Sequence, residues 1–121
     1  MLPALAVSYI PMAKFLALYM APVGAMDEMM QNTTQEQRDE QMQEWNTWME
    51  EKKSSLVDIG APVGRNKRIT PAGIVDVRNE VGGYSIVEAA SHEEAAALFA
   101  DNPMLKMPGA YVEVLTIVPM P

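Results

Sequence analysis

Residues 14–21, Lys-Phe-Leu-Ala-Leu-Tyr-Met-Ala, constrain the fold more than any other stretch of the chain. Read as a strand, they place Phe15, Ala17 and Tyr19 on one face and Leu16, Leu18 and Met20 on the other. Side chains alternate along a strand, so one without a polar face is covered on both sides. It belongs in the middle of a sheet. An apolar stretch near an N-terminus must also be weighed as a secretory leader. Here Lys14 would be its basic start, Phe15 to Val23 its apolar run and Val23-Gly24-Ala25 its cleavage site. The strand is preferred, because the later elements need a sheet partner. A membrane span needs about 20 uninterrupted apolar residues, and Pro3, Pro11, Lys14 and Pro22 interrupt this one. The expectation is a cytoplasmic chain without a membrane partner. Residues 1–11 read as an N-terminal extension, and residues 12–121 as one domain.

The next strong pattern is a helix over 33–56. Thr33 and Glu36 form a capping box at its start. Met42, Trp45, Met49 and Leu56 recur at helical spacing and form its buried stripe, with Trp48 offset beside it. Arg38, Asp39, Glu40, Glu44, Glu51 and Lys52 make the opposite, solvated face. Residues 21–33 before it read as a loop, and Gly60 and Pro62 turn the chain after it. Strand material follows at 67–70 and 73–77, turn chemistry at 79–83 and a strong strand at 84–90. Ser91 with Glu94 caps a short helix through Ala100. Asp101-Asn102-Pro103 ends it, and 110–118 is the last strand.

The order β-α-β-β-α-β is the ferredoxin-like split βαβ arrangement: an α+β fold, an antiparallel sheet with both helices on one face. The other face is then bare, yet the first strand is apolar there. The last strand sets Val112, Val114 and Val118 opposite Tyr111, Leu115 and Ile117, so it too is apolar on both sides. A second copy of the chain is the simplest cover, and a homodimer is expected.

Composition removes several kinds of chemistry. With no cysteine there is no disulfide, thiolate metal site or thiol nucleophile, and a single His excludes a multi-histidine metal site within one chain. No metal and no cofactor is expected. A net charge of −7 argues against nucleic acid as a partner. Arg65, Lys67 and Arg68 form the only basic cluster, read as edge-strand protection against aggregation. Gly82-Gly83 reads as a hairpin turn, not a phosphate loop.

The run Glu80-Val81-Gly82-Gly83-Tyr84-Ser85-Ile86-Val87-Glu88-Ala89-Ala90-Ser91-His92-Glu93-Glu94-Ala95 resembles the YCII-related (DGPF-domain) family. So do Asp101-Asn102-Pro103, the closing Tyr111-Val112-Glu113-Val114, the opening Lys14-Phe15-Leu16-Ala17-Leu18-Tyr19, and Gly60-Ala61-Pro62. The resemblance spans roughly residues 12–119 and implies a dimeric α+β barrel, two ferredoxin-like sheets face to face. Residues 69–76 lack the Asp-Gly-Pro-Phe signature of one branch. Some members pair a His early in the first helix with the Asp of an Asp-Pro motif as a proposed catalytic dyad. That His would fall near Met42 or Gln43, and neither is His. Asp101 is the counterpart of the acid.

His92 does not replace the missing His. It opens the second helix while Asp101 follows its end, about 14 Å apart at 1.5 Å per residue, whereas a dyad needs about 3 Å. His92 reads as an exposed first-turn residue. At the Asp101 end, topology gathers Met26, Met29, Met30, Asn79, Tyr84, Met104 and Met107. These are either core packing or an adaptable apolar pocket. Asp101 is the candidate acid/base, or an Asx-turn before Pro103. Trp45, Trp48, Met42, Tyr84, Met29 and Met104 are the candidate ligand contacts. Glu88 and Glu113 flank the first strand about 9.6 Å apart and read as solvated or paired carboxylates. Three functions remain open: a dimeric barrel that binds a small, largely apolar or aromatic ligand, a lyase-like or dehydrochlorinase-type enzyme acting on a phenolic substrate through Asp101, and a ligand-free dimeric interaction module.

Overall fold

Strand β1 (Ala13–Met20) lies between two antiparallel neighbours, as a strand apolar on both faces requires. The computed structural model describes residues 11–121, so the expected extension lies outside the described residues apart from Pro11. The chain continues through α1 (Ala25–Asn32), α2 (Gln35–Lys52), β2 (Leu56–Pro62), β3 (Asn66–Thr70) and β4 (Gly73–Val77). Then come β5 (Val81–Ala89), α3 (His92–Ala97), a 3-10 turn (Pro103–Lys106) and β6 (Tyr111–Thr116). The four-stranded sheet has the order β2-β5-β1-β6 and is antiparallel throughout. This is the α+β architecture and strand order of the split βαβ arrangement.

One strand of that order is not the expected segment. The edge place beside β5 is taken by β2, not by 67–77. Helix α2 stops at Lys52, and Ser54-Ser55, poor helix formers, turn the chain outward. Leu56 packs on the core as a helical stripe residue would, but from a strand. A short apolar run is ambiguous between the two states when read alone. Strands β3 and β4 form a separate two-stranded hairpin, with Lys67 Nζ 2.6 Å from Asp76 Oδ1. The basic cluster therefore lies on or beside this hairpin rather than on the edge of the main sheet. Ile69 and Ile74 on it are 74% and 66% exposed.

Two local readings also shift. Residues 25–32 are helical rather than loop, entered through Gly24 at φ 86, a left-handed conformation that glycine adopts without penalty. The capping box sits one residue later than expected: Thr34 Oγ1 accepts from Gln37 N at 3.1 Å, and the Gln37 side chain accepts from Thr34 N at 2.9 Å. The Thr33 hydroxyl is engaged by the Met29 carbonyl at the end of α1. Two adjacent threonines both satisfy the capping pattern, and the second helix decides between them.

The helices cover one face of the sheet. Phe15, Ala17, Tyr19, Val87 and Ala89 are buried there under Trp48, Ala95, Phe99 and Met104. A fully buried large apolar side chain contributes about 1.5–3 kcal/mol, so α2 is anchored through its C-terminal half, which supplies Trp48. Its N-terminal half contributes no buried residue and stands off the sheet. The opposite face carries Leu16, Leu18, Met20, Tyr84, Ile86 and Leu115, half-buried or exposed.

Candidate functional site

The stand-off of α2 opens a cavity of about 700 Å³ between helix and sheet. Its floor is Tyr19 and Ser85, its roof Trp45, Trp48 and Met49. Met26 and Met29 of α1, Met104 and Met107 at and after the 3-10 turn, and Ile59 and Gly60 of β2 also line it. The Met positions grouped by topology do converge here, Met30 excepted: it is 61% exposed and does not line the cavity. Met42 lines the mouth.

Several expected contacts occupy different places from those the pattern implied. Trp48, read as offset, is the buried tryptophan, and Trp45, read as core, is half-buried. The rings form a chain: Tyr19 meets Trp45 edge-on at 5.2 Å, Trp45 meets Trp48 at 5.9 Å, and Trp48 meets Phe99 at 5.3 Å. Met42, Trp45 and Met49 do recur at helical spacing, but Met42 is exposed, so the helix turns Trp48 rather than the middle of that stripe onto the core. Tyr84 borders the cavity, but it pairs with Leu18, and alternation turns its ring to the opposite face of the sheet.

Asp101 lies outside this cavity. It lines a neighbouring hollow of about 490 Å³ with Glu40, Glu44, Glu51, Trp48 and Lys106. Its Oδ1 accepts from Trp48 Nε1 at 3.2 Å and lies 3.3 Å from Lys52 Nζ. Its side chain is 58% exposed. Trp48 lines both hollows, as do Glu40, Glu44, Pro103 and Lys106. His92 is exposed at the start of α3, stacked on Phe15 at 5.3 Å with Nε2 2.7 Å from the Val114 carbonyl. Glu88 stands opposite Lys14 and Glu113 opposite Leu18: both flank β1, but four residues apart along it, roughly 13 Å at strand rise, so they lie farther apart than expected.

The polar atoms that do reach the cavity floor form one chain. Tyr19 Oη lies 2.8 Å from Ser85 Oγ, and Ser85 Oγ donates to the Ile59 carbonyl at 2.7 Å. Burial raises the Tyr19 pKa, and the neighbouring Ser85 and Asn102 side chains partly offset this. Residue reasoning missed Tyr19 and Asn102 as site residues. The Asp-Pro motif of the resemblance sets its acid directly before the proline. In this chain that position is Asn102, and Asn102, 2% exposed, is the one that turns inward. The signal was the spacing to Pro103; the acidic Asp101 beside it drew the assignment away.

Fold and site define a class: an α+β domain with a ferredoxin-like antiparallel sheet, helices on one face and an apolar cavity between them. The model of the YCII-related domain matches residues 18–121, and the chain belongs to that family. Among solved structures it is similar to 5-chloro-2-hydroxyhydroquinone dehydrochlorinase from Burkholderia phenoliruptrix AC1100, in complex with 2,5-dihydroxybenzoquinone. The identity is 18%, over 83% of this chain and 90% of that one, with a TM-score of 0.47. No curated protein matches the sequence. Among the described residues no helix is long and apolar enough to cross a membrane.

Proposed function

We propose that the chain acts as a homodimer, each protomer binding a small, largely apolar or aromatic ligand in the cavity under α2. The cavity itself carries the ligand reading. At about 700 Å³ it falls in the size range of small-molecule sites, roughly 300–1,000 Å³. Its walls are rich in methionine, whose flexible thioether adapts to irregular apolar partners. The homodimer is supported by the sheet face that no described residue covers, where Leu16, Ile86 and Leu115 lie side by side in register. In this reading Asp101 holds Trp48 in place from the neighbouring hollow and takes no part in proton transfer.

Calorimetric titration with 2-methylnaphthalene tests the ligand reading on wild type, Met29→Trp and Asp101→Asn. Met29→Trp adds an indole to the cavity wall. Saturable binding is expected to wild type and Asp101→Asn, and to be lost in Met29→Trp. No binding to wild type, or equal binding to Met29→Trp, overturns the cavity as the site. Loss of binding in a folded Asp101→Asn returns the acid/base reading of Asp101.

A further inference from the structure

The sheet face that no described residue covers carries charge as well as apolar groups, and the strand register fixes where each lies. Lys14, Leu16 and Leu18 of β1 share it, opposite the buried Phe15, Ala17 and Tyr19. Three rows cross it. Ile86, Leu16 and Leu115 form the middle row. Tyr84, Leu18 and Glu113 form the row on one side, and Glu88 with Lys14 the row on the other. Among the described residues Lys14, Glu88 and Glu113 are in no ion pair. Within one chain Lys14 and Glu113 lie four residues apart along β1, roughly 13 Å at strand rise and too far to pair.

Stacking two such faces takes these charges out of water, so each needs an opposite charge or a hydrogen bond. Two identical subunits are related by a twofold axis, and between stacked sheets it lies midway, either across the strands or along them. An axis across the strands, on the Ile86–Leu16–Leu115 row, packs that apolar row on its own copy and exchanges the rows beside it. Lys14 then stands over the partner's Leu18, one strand spacing, about 4.8 Å, from the partner's Glu113. Glu88 stands over the partner's Tyr84, whose hydroxyl can donate to it. Long side chains span the roughly 10 Å between packed sheets. Asp58, opposite Ile86 on the edge strand, is already turned to its own Gly60 N–H at 2.8 Å.

The other axes leave charges opposed or alone. One across the strands on the Leu18 row sets Glu113 against itself. One along β1 sets Lys14 against itself. One along the strands between β1 and β5 pairs Lys14 with the partner's Glu88 but leaves Glu113 over Ala61, which lies opposite Tyr84 on β2. We infer that two copies dock across this face about an axis on the Ile86–Leu16–Leu115 row, Lys14 of each pairing with Glu113 of the other. This rests on the homodimer reading and adds its docking register.

Sedimentation equilibrium tests it through the dimer Kd of wild type, Lys14→Glu, Glu113→Lys, and the double variants Lys14→Glu/Glu113→Lys and Lys14→Glu/Glu88→Lys. Lys14 and Glu113 are exposed within one chain, and circular dichroism checks that each variant is folded. Each single substitution puts like charges together twice in the interface and should weaken the dimer at least about tenfold. Lys14→Glu/Glu113→Lys restores the pair with its signs exchanged, and should return to within about fivefold of wild type, the weight of an exposed ion pair. Lys14→Glu/Glu88→Lys should stay weak. Rescue by the Glu88 exchange alone, or by neither, refutes this register and leaves the homodimer standing. A wild-type monomer at low micromolar concentration refutes both and gives the face to another occupant.

Discussion

Gly60→Ala is expected to destabilise the protein by about 3 kcal/mol, through two separable effects. Gly60 has φ 75, and the left-handed region costs a residue with a Cβ roughly 1–2 kcal/mol. The added Cβ would also stand 1.7 Å from the Tyr84 carbonyl oxygen and 2.6 Å from its carbon. Both are backbone atoms of β5, which is held between β2 and β1 and cannot swing away. The edge strand β2 must therefore move outward. Losing two of its hydrogen bonds at about 0.5–1.5 kcal/mol each supplies the rest. Two other glycines separate the effects. Gly24 has φ +86 but nothing within 4 Å of an added Cβ, so Gly24→Ala carries the backbone cost alone. Gly64 is equally open and lies outside that region of φ; Gly64→Ala should be neutral or stabilise by up to about 1 kcal/mol. Urea unfolding followed by far-ultraviolet circular dichroism gives all three differences. Protein concentration must be held fixed, because association makes apparent stability concentration-dependent. If Gly60→Ala costs no more than Gly24→Ala, the close approach of β2 to β5 is wrong. If it lies within about 0.5 kcal/mol of wild type, the range of ordinary surface substitutions, both effects are wrong.

Leu16→Glu places a charge between Ile86 and Leu115 on the uncovered face; sedimentation at low micromolar concentration should show a dimer for wild type and a monomer for the variant, and a wild-type monomer refutes the homodimer. His92→Ala removes the Phe15 stack and the Val114 carbonyl contact and should cost about 1 kcal/mol, leaving the Kd for 2-methylnaphthalene unchanged. A marked loss of binding would overturn the placement of the site. Burial raises the Tyr19 pKa above 10, so the folded chain holds that proton more tightly than the unfolded chain. Its contribution is complete below pH 10 and is lost as pH rises through the folded pKa. Tyr19→Phe should flatten the fall in Tm above pH 10, and an unchanged slope would show that Tyr19 is not its source.

The sequence by itself determined the central position of β1, because a strand apolar on both faces has no other stable place. It also determined the split βαβ order, the sheet face that no described residue covers, and the gathering of Met26, Met29, Met104 and Met107 at one end. These follow from side-chain alternation and chain connectivity, which local patterns carry. It did not determine which of two adjacent residues performs a task. Thr33 and Thr34 both suit a cap, Trp45 and Trp48 both suit a helix under a sheet, and Asp101 and Asn102 both precede the turn. Shifts of one residue, or three along a helix, barely change a sequence pattern, and only packing makes the choice. Tertiary structure likewise chose 56–62 over 67–77 as the second strand of the sheet. Glycine at 60 lets that backbone close onto Tyr84, a contact between residues 24 positions apart that no local pattern encodes.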